Sequence, residues 1–338
     1  MFFGTAASAP TAQRGTAALL VRRGGERLLF DCGEGTQRQM LRSAVGLVDL
    51  REVFLTHYHA DHYLGLPGML KTFALRGRDE PITIYGPTGL HELFGSLRRI
   101  FGRLTYEYEL VVVRPGDVLD RGEYRLEAFA PRHGLAAVGY ALVEEPRPGR
   151  FDVEAADGLG VPFGPERGML QRGEAVTLPD GKTVTPDTVL GEPRPGRKVV
   201  LAGDTAPSDD VIAAARAADV LVHEATFCED ERDRAAETLH STALDAAGVA
   251  KAADVRLLVL THLSGRYFGP DVAEEARTVF PETVVPRDFD VVEVPFPERG
   301  PPKLHRGGAK PRRVQSEPQQ EAEPEPEQVT TVGEGAAE

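Results

Sequence analysis

The chain has 338 residues, 41% of them hydrophobic, with a formal net charge of −13, nine histidines and two cysteines. That length buries a substantial core, and the acidic balance excludes general polyanion affinity, so any nucleic-acid site has to be a local basic patch. Cys32 and Cys228 lie far apart without a CxxC spacing, which excludes a disulfide framework.

From the N-terminus, the start MFFGTAASAPT lacks a basic leader. No run downstream approaches membrane-spanning length, so a cytoplasmic protein away from membranes is expected. AALLV (17–21), RLLFD (27–31) and EVFLT (52–56) read as short strands. EVFLT runs straight into HYHADH (57–62), which leads into a helical pattern, YLGLPGMLKTFA (63–74). Strand patterns follow at ITIYG (82–86), YELVVV (108–113), YRLEAFA (124–130) and GYALVE (139–144), with a helix, HELFGSLRRIFG (91–102), among them.

From Glu145 to Arg197 the texture changes, because Pro and Gly become frequent and two identical pieces, EPRPGR at 145 and at 192, bracket the interval. About fifty residues exceed an ordinary loop, which leaves a functional arm or an unstructured insertion. GEAVTLPDGKTV (173–184) favours a hairpin turning at Asp180 and Gly181. Strands resume at KVVLAGD (198–204), DVLVHE (219–224), RLLVLTH (256–262) and DVVEVP (290–295), interleaved with helices SDDVIAAARAA (208–218) and STALDAAGVAKAA (241–253). Strands with interspersed helices imply sheets covered by helices, in layers. The pattern stops near Pro297, and the stretch after Gln315 holds seven glutamates with no Lys or Arg. One folded domain over 1–298 and a disordered Pro/Glu-rich tail over 299–338 are expected.

Four of the apolar runs finish on a metal-ligand residue type: His57, His133, Asp204 and His262. If these strands share a direction, their ends gather at one rim, where open α/β sheets place their sites. A lone histidine at a strand end is ordinarily a capping or core residue. Clustered imidazoles, however, repel as cations and gain nothing from burial, so HYHADH points to a bound cation. A tight turn aims alternate side chains at two neighbouring points, which favours two ions. The assignment is His57, His59 and His133 on one ion, Asp61, His62 and His262 on the other, and Asp204 shared between them. Imidazole with bridging carboxylate suits Zn²⁺. Paired ions about 3.5 to 4 Å apart imply hydrolysis.

The H-x-H-x-D-H signature accompanies FGTAASAPT (3–11), LLFDCGEGTQRQM (28–40), IYGP (84–87), LAGDT (201–205), VHEATF (222–227), HST (240–242) and LTHLSGRY (260–267). This set resembles the metallo-β-lactamase superfamily and, within it, the ribonuclease Z family. The resemblance implies a four-layered αββα sandwich (an α/β fold) whose catalytic domain carries an inserted tRNA-binding arm at 146–196. It also implies two zinc ions per subunit, a homodimer, and removal of the 3′ trailer from precursor tRNA by phosphodiester hydrolysis, leaving a tRNA 3′-hydroxyl. Carried onto matching positions, Asp61 becomes a proton acceptor as well as a ligand, while His240 and Glu224 assist proton transfer at the leaving oxygen.

GVPFGPERG (160–168) resembles the tip of the family's arm. The implied RNA contacts are Gly164, Pro165, Arg167 and Arg172 there, with Arg14 and Arg266 on the body. In PTAQRGT (10–16) Arg14 is retained, but Ala12 and Gly15 stand where a PTKxRN loop has Lys and Asn, so no cleavage position relative to CCA is implied. Two rival readings are a metallo-phosphodiesterase for a small ester, which the arm disfavours, and a non-catalytic RNA-binding scaffold, which the occupied ligand positions disfavour.

Overall fold

Strands that are apolar on both faces need cover on both sides. In the computed structural model, which describes residues 1–308 apart from Val48, four layers supply it. The first sheet runs in the order β1 (Phe2–Gly4), β2 (Ala18–Arg23), β3 (Glu26–Phe30), β4 (Glu52–Phe54), β5 (Ile82–Gly86) and β6 (Tyr108–Val112). It is antiparallel from β1 to β3 and parallel from β3 to β6. Helices α1 (Thr36–Arg42), α3 (Gly65–Leu75) and α4 (Leu90–Phe101) cover its outer face through Met40, Leu66, Leu70, Leu90, Phe94 and Leu97. A single turn, α2 (Ala60–Tyr63), precedes α3.

The second sheet begins as a meander of β7 (Val118–Asp120), β8 (Tyr124–Phe129) and β9 (Gly139–Glu144). The interval after β9 holds α5 (Val153–Gly158), α6 (Pro165–Gln171) and the hairpin of β10 (Val176–Thr177) with β11 (Thr183–Val184). The sheet then resumes with β12 (Lys198–Leu201), α7 (Asp209–Ala215), β13 (Val220–Glu224), α8 (Arg232–Thr238), α9 (Ala243–Ala253), β14 (Leu258–Thr261), α10 (Gly269–Arg277) and β15 (Thr283–Val284). Its order is β15-β14-β13-β12-β9-β8-β7, and β12 to β15 are parallel. Alanines of α9 let that helix lie close on the sheet, and its first turn is closed by a capping box between Thr242 and Asp245. Such a cap is worth about 1 kcal/mol. Between the sheets lies a third core of Phe30, Phe54, Tyr85, Tyr124 and Tyr140, with Phe54 and Tyr85 stacked at 4.4 Å.

The interval 145–197 is an ordered unit with its own small core of Ala156, Val161, Leu170, Val176, Val184 and Val189. The hairpin turns at Gly181 (φ 85°), as the Asp-Gly pair implies. The two copies of EPRPGR form its stem: Arg147 and Arg194 exchange main-chain hydrogen bonds of 2.8 and 2.9 Å. That close pairing requires glycine at 149, where a Cβ would stand 1.8 Å from Gly191 O. Both stem arginines reach Glu298, and Arg147 lies over the Phe296 ring.

The folded chain extends past the expected end near Pro297. β16 (Val291–Glu293) pairs antiparallel with β17 (Lys303–His305), and Asp290 accepts from Arg306 and Gly307. A three-residue strand behind Pro301 and Pro302 leaves almost no periodic signal, and it exists because Asp290 offers its carboxylate to the returning chain. The rest of the expected tail, 309–338, lies outside the described residues.

Candidate metal centre

The strands that lead to the expected ligands share a direction. β9 is antiparallel to both β8 and β12, so β8 runs with β12, β13 and β14. Their C-terminal ends deliver His133, Asp204, Glu224 and His262 to one rim, and β4 delivers His57 from the facing sheet. HYHADH turns sharply because it is braced on the segment after β3. Cys32 N–H donates to His62 O (2.7 Å), Gly65 N–H donates to Cys32 O (2.9 Å), and a Cβ on Gly65 would stand 2.0 Å from Gly33 O.

The donor atoms form two groups. In the first, His57 Nε2 and His133 Nε2 lie 3.0 and 3.2 Å from His59 Nδ1, and Asp204 Oδ2 lies 3.6 Å from His57 Nε2. In the second, His62 Nε2 and His262 Nε2 are 3.3 Å apart, and Asp61 Oδ2 is 3.6 and 3.2 Å from them. Asp204 Oδ2 also reaches this group, 3.4 Å from His62 Nε2 and 3.3 Å from His262 Nε2. Zn–N bonds of about 2.0 to 2.1 Å in a tetrahedron put donors about 3.3 Å apart, which is the spacing found.

The chemistry of the donors fits a cation as well as the spacing does. His62 Nδ1 lies 2.8 Å from Asp31 Oδ2 and His133 Nδ1 lies 3.3 Å from Leu239 O. These partners accept only, so both Nδ1 atoms carry protons and both Nε2 atoms are turned to the centre, where each can give a lone pair to a cation once its own proton is displaced. Until then the carboxylates of Asp204 and Asp31, against the effect of burial, hold His62 charged. Thr56 Oγ1 backs His57 Nδ1 (3.0 Å) and Thr226 Oγ1 backs His262 Nδ1 (2.9 Å). Burial first, then the charge of His62, lowers the His57 pKa to about 2 and keeps it neutral. Burial alone would push Asp61 up, but the His262 hydrogen bond and the charge of His62 hold it well below the usual carboxylate range. Ser8 N–H adds a 2.7 Å hydrogen bond to Asp61 Oδ2.

Beside the centre, His240 Nδ1–H donates to Glu224 Oε1 over 2.6 Å. The buried Glu224 also accepts from Thr205 N (2.9 Å), Thr226 Oγ1 (2.6 Å) and Ser241 N (3.2 Å). Burial disfavours a charged His240, but the hydrogen bond and charge of Glu224 outweigh it and raise His240 to about 9. The pair can therefore hold a proton at neutral pH next to the donor cluster.

The expected RNA-contacting residues are not gathered at the centre. The Arg14 guanidinium turns inward, donating to Thr5 Oγ1 (2.6 Å) and Pro286 O (2.9 Å), and Arg266 pairs with Glu231 at 2.7 Å. Within the arm Arg167 is tied to Asp157 and to Val161 O, and Arg172 pairs with Glu174 at 2.9 Å. Gly164 and Pro165 open α6, next to Phe163, which is 93% exposed. Asp31, Thr56, Thr226 and Ser8 were absent from the expected site. Asp31 had a signal, since RLLFD ends on a carboxylate as the other runs end on ligand types.

Residues 12–262 match the model of the metallo-β-lactamase superfamily. Ribonuclease Z of Natronomonas pharaonis is 47% identical over 302 residues, 88% of this chain and 98% of that one. Ribonuclease Z of Myxococcus xanthus is 50% identical over 267 residues, 79% of this chain and 87% of that one. The crystal structure of the short form of human tRNase Z superposes with a TM-score of 0.62 at 29% identity, covering 87% of this chain and 98% of that one. The layered architecture and the resemblance read from the motifs are both borne out: the chain belongs to the ribonuclease Z family of the metallo-β-lactamase superfamily.

Proposed function

We propose that the chain is a zinc-dependent endoribonuclease that removes the 3′ trailer of precursor tRNA by hydrolysing one phosphodiester. Membership of the ribonuclease Z family supports the reaction and the substrate. The observation that carries the mechanism is Asp204 Oδ2, which stands within 3.3 to 3.6 Å of imidazoles from both donor groups. His57, His59 and His133 would hold one ion and Asp61, His62 and His262 the other, with Asp204 within reach of both groups. When bound, such a pair acidifies water and neutralises charge on the phosphoryl oxygens.

The chain's own groups do the rest. Asp61, kept ionised and held by Ser8 N–H, orients and accepts the proton of the attacking water. His240, protonated at neutral pH, gives its proton to the departing 3′ oxygen of the tRNA, and Glu224 fixes the ring while its charge stabilises the imidazolium. The arm, with Phe163, Gly164 and Pro165 at its tip, grips the tRNA body away from the centre. The family resemblance supports a homodimer and a cytoplasmic location. Among the described residues no helix is long and apolar enough to cross a membrane.

Incubating the purified protein with one precursor lacking an encoded CCA and one carrying it, then mapping both ends, tests the reading. A single cut that leaves a 3′-hydroxyl on the tRNA is expected, from protein that retains about two zinc ions per chain. Zinc-loaded protein that cleaves neither precursor but hydrolyses a small phosphodiester would transfer the assignment to a small-ester enzyme.

A further inference from the structure

One cation beside the centre has no part in that mechanism. Arg132 directly precedes His133, and its main chain is locked to the segment after Asp204. Arg132 N–H donates to Thr205 Oγ1 (2.9 Å), and Ala206 N–H donates to Arg132 O (2.9 Å). Arg132 lines a cavity of about 140 Å³ with Arg232, Leu239, His240 and Asp245. Arg232 is committed to Glu229 and Asp245. Among the described residues no carboxylate pairs with Arg132, although the chain is acidic overall and Arg121, Arg197, Arg256 and Arg266 are each paired with one. An unpaired guanidinium on a fixed backbone, open to a cavity walled by the proton-donating histidine, is suited to bind a phosphate through charge-assisted hydrogen bonds.

The cavity shares His240 with the centre, and that shared wall determines which phosphate. His240 faces the oxygen that leaves, and that oxygen is the 3′ oxygen of the last nucleotide retained by the tRNA. The same nucleotide carries a phosphodiester on its 5′ side, one linkage upstream of the bond that breaks. We propose that Arg132 binds this upstream phosphate, so that the centre reads the two phosphates flanking the retained nucleotide together. The assignment rests on the endoribonuclease reading. It makes Arg132 a specificity residue for a leaving group that is a nucleotide inside a chain.

The test uses the full-length zinc-loaded protein and three ligated precursors. One is unmodified, one carries an uncharged methylphosphonate at the linkage immediately 5′ of the scissile one, and one carries it at the linkage immediately 3′. For the native protein the 5′ substitution lowers kcat/KM by roughly tenfold or more, mostly through KM, the size of one lost charge-assisted contact. In Arg132→Gln the unmodified and 5′-substituted precursors react alike, Arg132→Lys restores part of the difference, and the 3′ substitution affects native and variant proteins equally. Melting temperature and zinc content check that both variants fold and load. A native protein indifferent to the 5′ substitution, or an Arg132→Gln protein that still discriminates as the native one does, overturns the proposal. A native protein that fails to cut the unmodified precursor overturns the endoribonuclease reading, and the proposal with it.

Discussion

Asp61 combines two demands that ordinarily conflict, lying 9% exposed yet remaining ionised. Asp61→Ala removes what is proposed as both a ligand and the proton acceptor, so turnover should disappear while precursor binding, assigned in that proposal to the arm and body, stays measurable by gel shift. Cleavage that persists would take Asp61 out of the mechanism. Asp31 acts one step back: it sits in the left-handed region (φ 58°), accepts from Thr56 N–H (2.8 Å), and fixes the His62 ring. Asp31→Asn should weaken zinc retention by roughly 10- to 100-fold, read by competition with a chelator, and retention equal to the native protein's would make Asp31 a purely structural acceptor. The sequence exposed the clustered His and Asp residues because metal chemistry uses few residue types and the strands end on them. Thr56 and Thr226 were not legible, since a hydroxyl that aims an imidazole looks in sequence like any other threonine.

At the scale of elements, Glu144 joins three parts of the fold. At the end of β9 it accepts from Arg23 on β2 (2.9 Å) and from Arg197 Nη2 where the arm returns (2.6 Å). Burial would raise its pKa, but the hydrogen bonds and charge of Arg197, then Arg23, lower it from 4.5 to about 2. A depressed carboxylate stabilises the fold fully above its unfolded pKa, and the contribution is lost as pH falls from about 4.5 towards 2. Glu144→Gln should therefore cost about 2 kcal/mol at pH 7, discounted for the partly exposed Arg197, and far less near pH 3. Urea midpoints at the two pH values measure this, and an equal loss at both would place the effect in packing. The long apolar strands were legible from their runs. β1, β7 and β15 were not, being two- or three-residue edge strands specified by their partners, and α1 escaped because Met40 and Thr36 are its only buried residues.

For the whole molecule the arm is the test. If it supplies a second grip on tRNA, joining Arg147 to Pro195 with 148–194 deleted should lower precursor cleavage roughly a hundredfold or more while a small phosphodiester is still hydrolysed. Equal loss of both activities would mean that the arm supports the centre itself. The sequence marked the arm's limits through its repeated hexapeptide, yet left open whether anything ordered lay between. The answer depended on an apolar cluster too small to stand out among so many prolines and glycines. The stem also bears on how the insertion is carried. Glu144 N–H donates to Arg197 O (2.9 Å), so the chain departs and returns through one doorway. Topologically the protrusion is a bud on a stalk: a longer, shorter or foreign one asks its host for two neighbouring attachment points and the brace that Glu298 and Phe296 give the stalk, and leaves the register of the sheets alone.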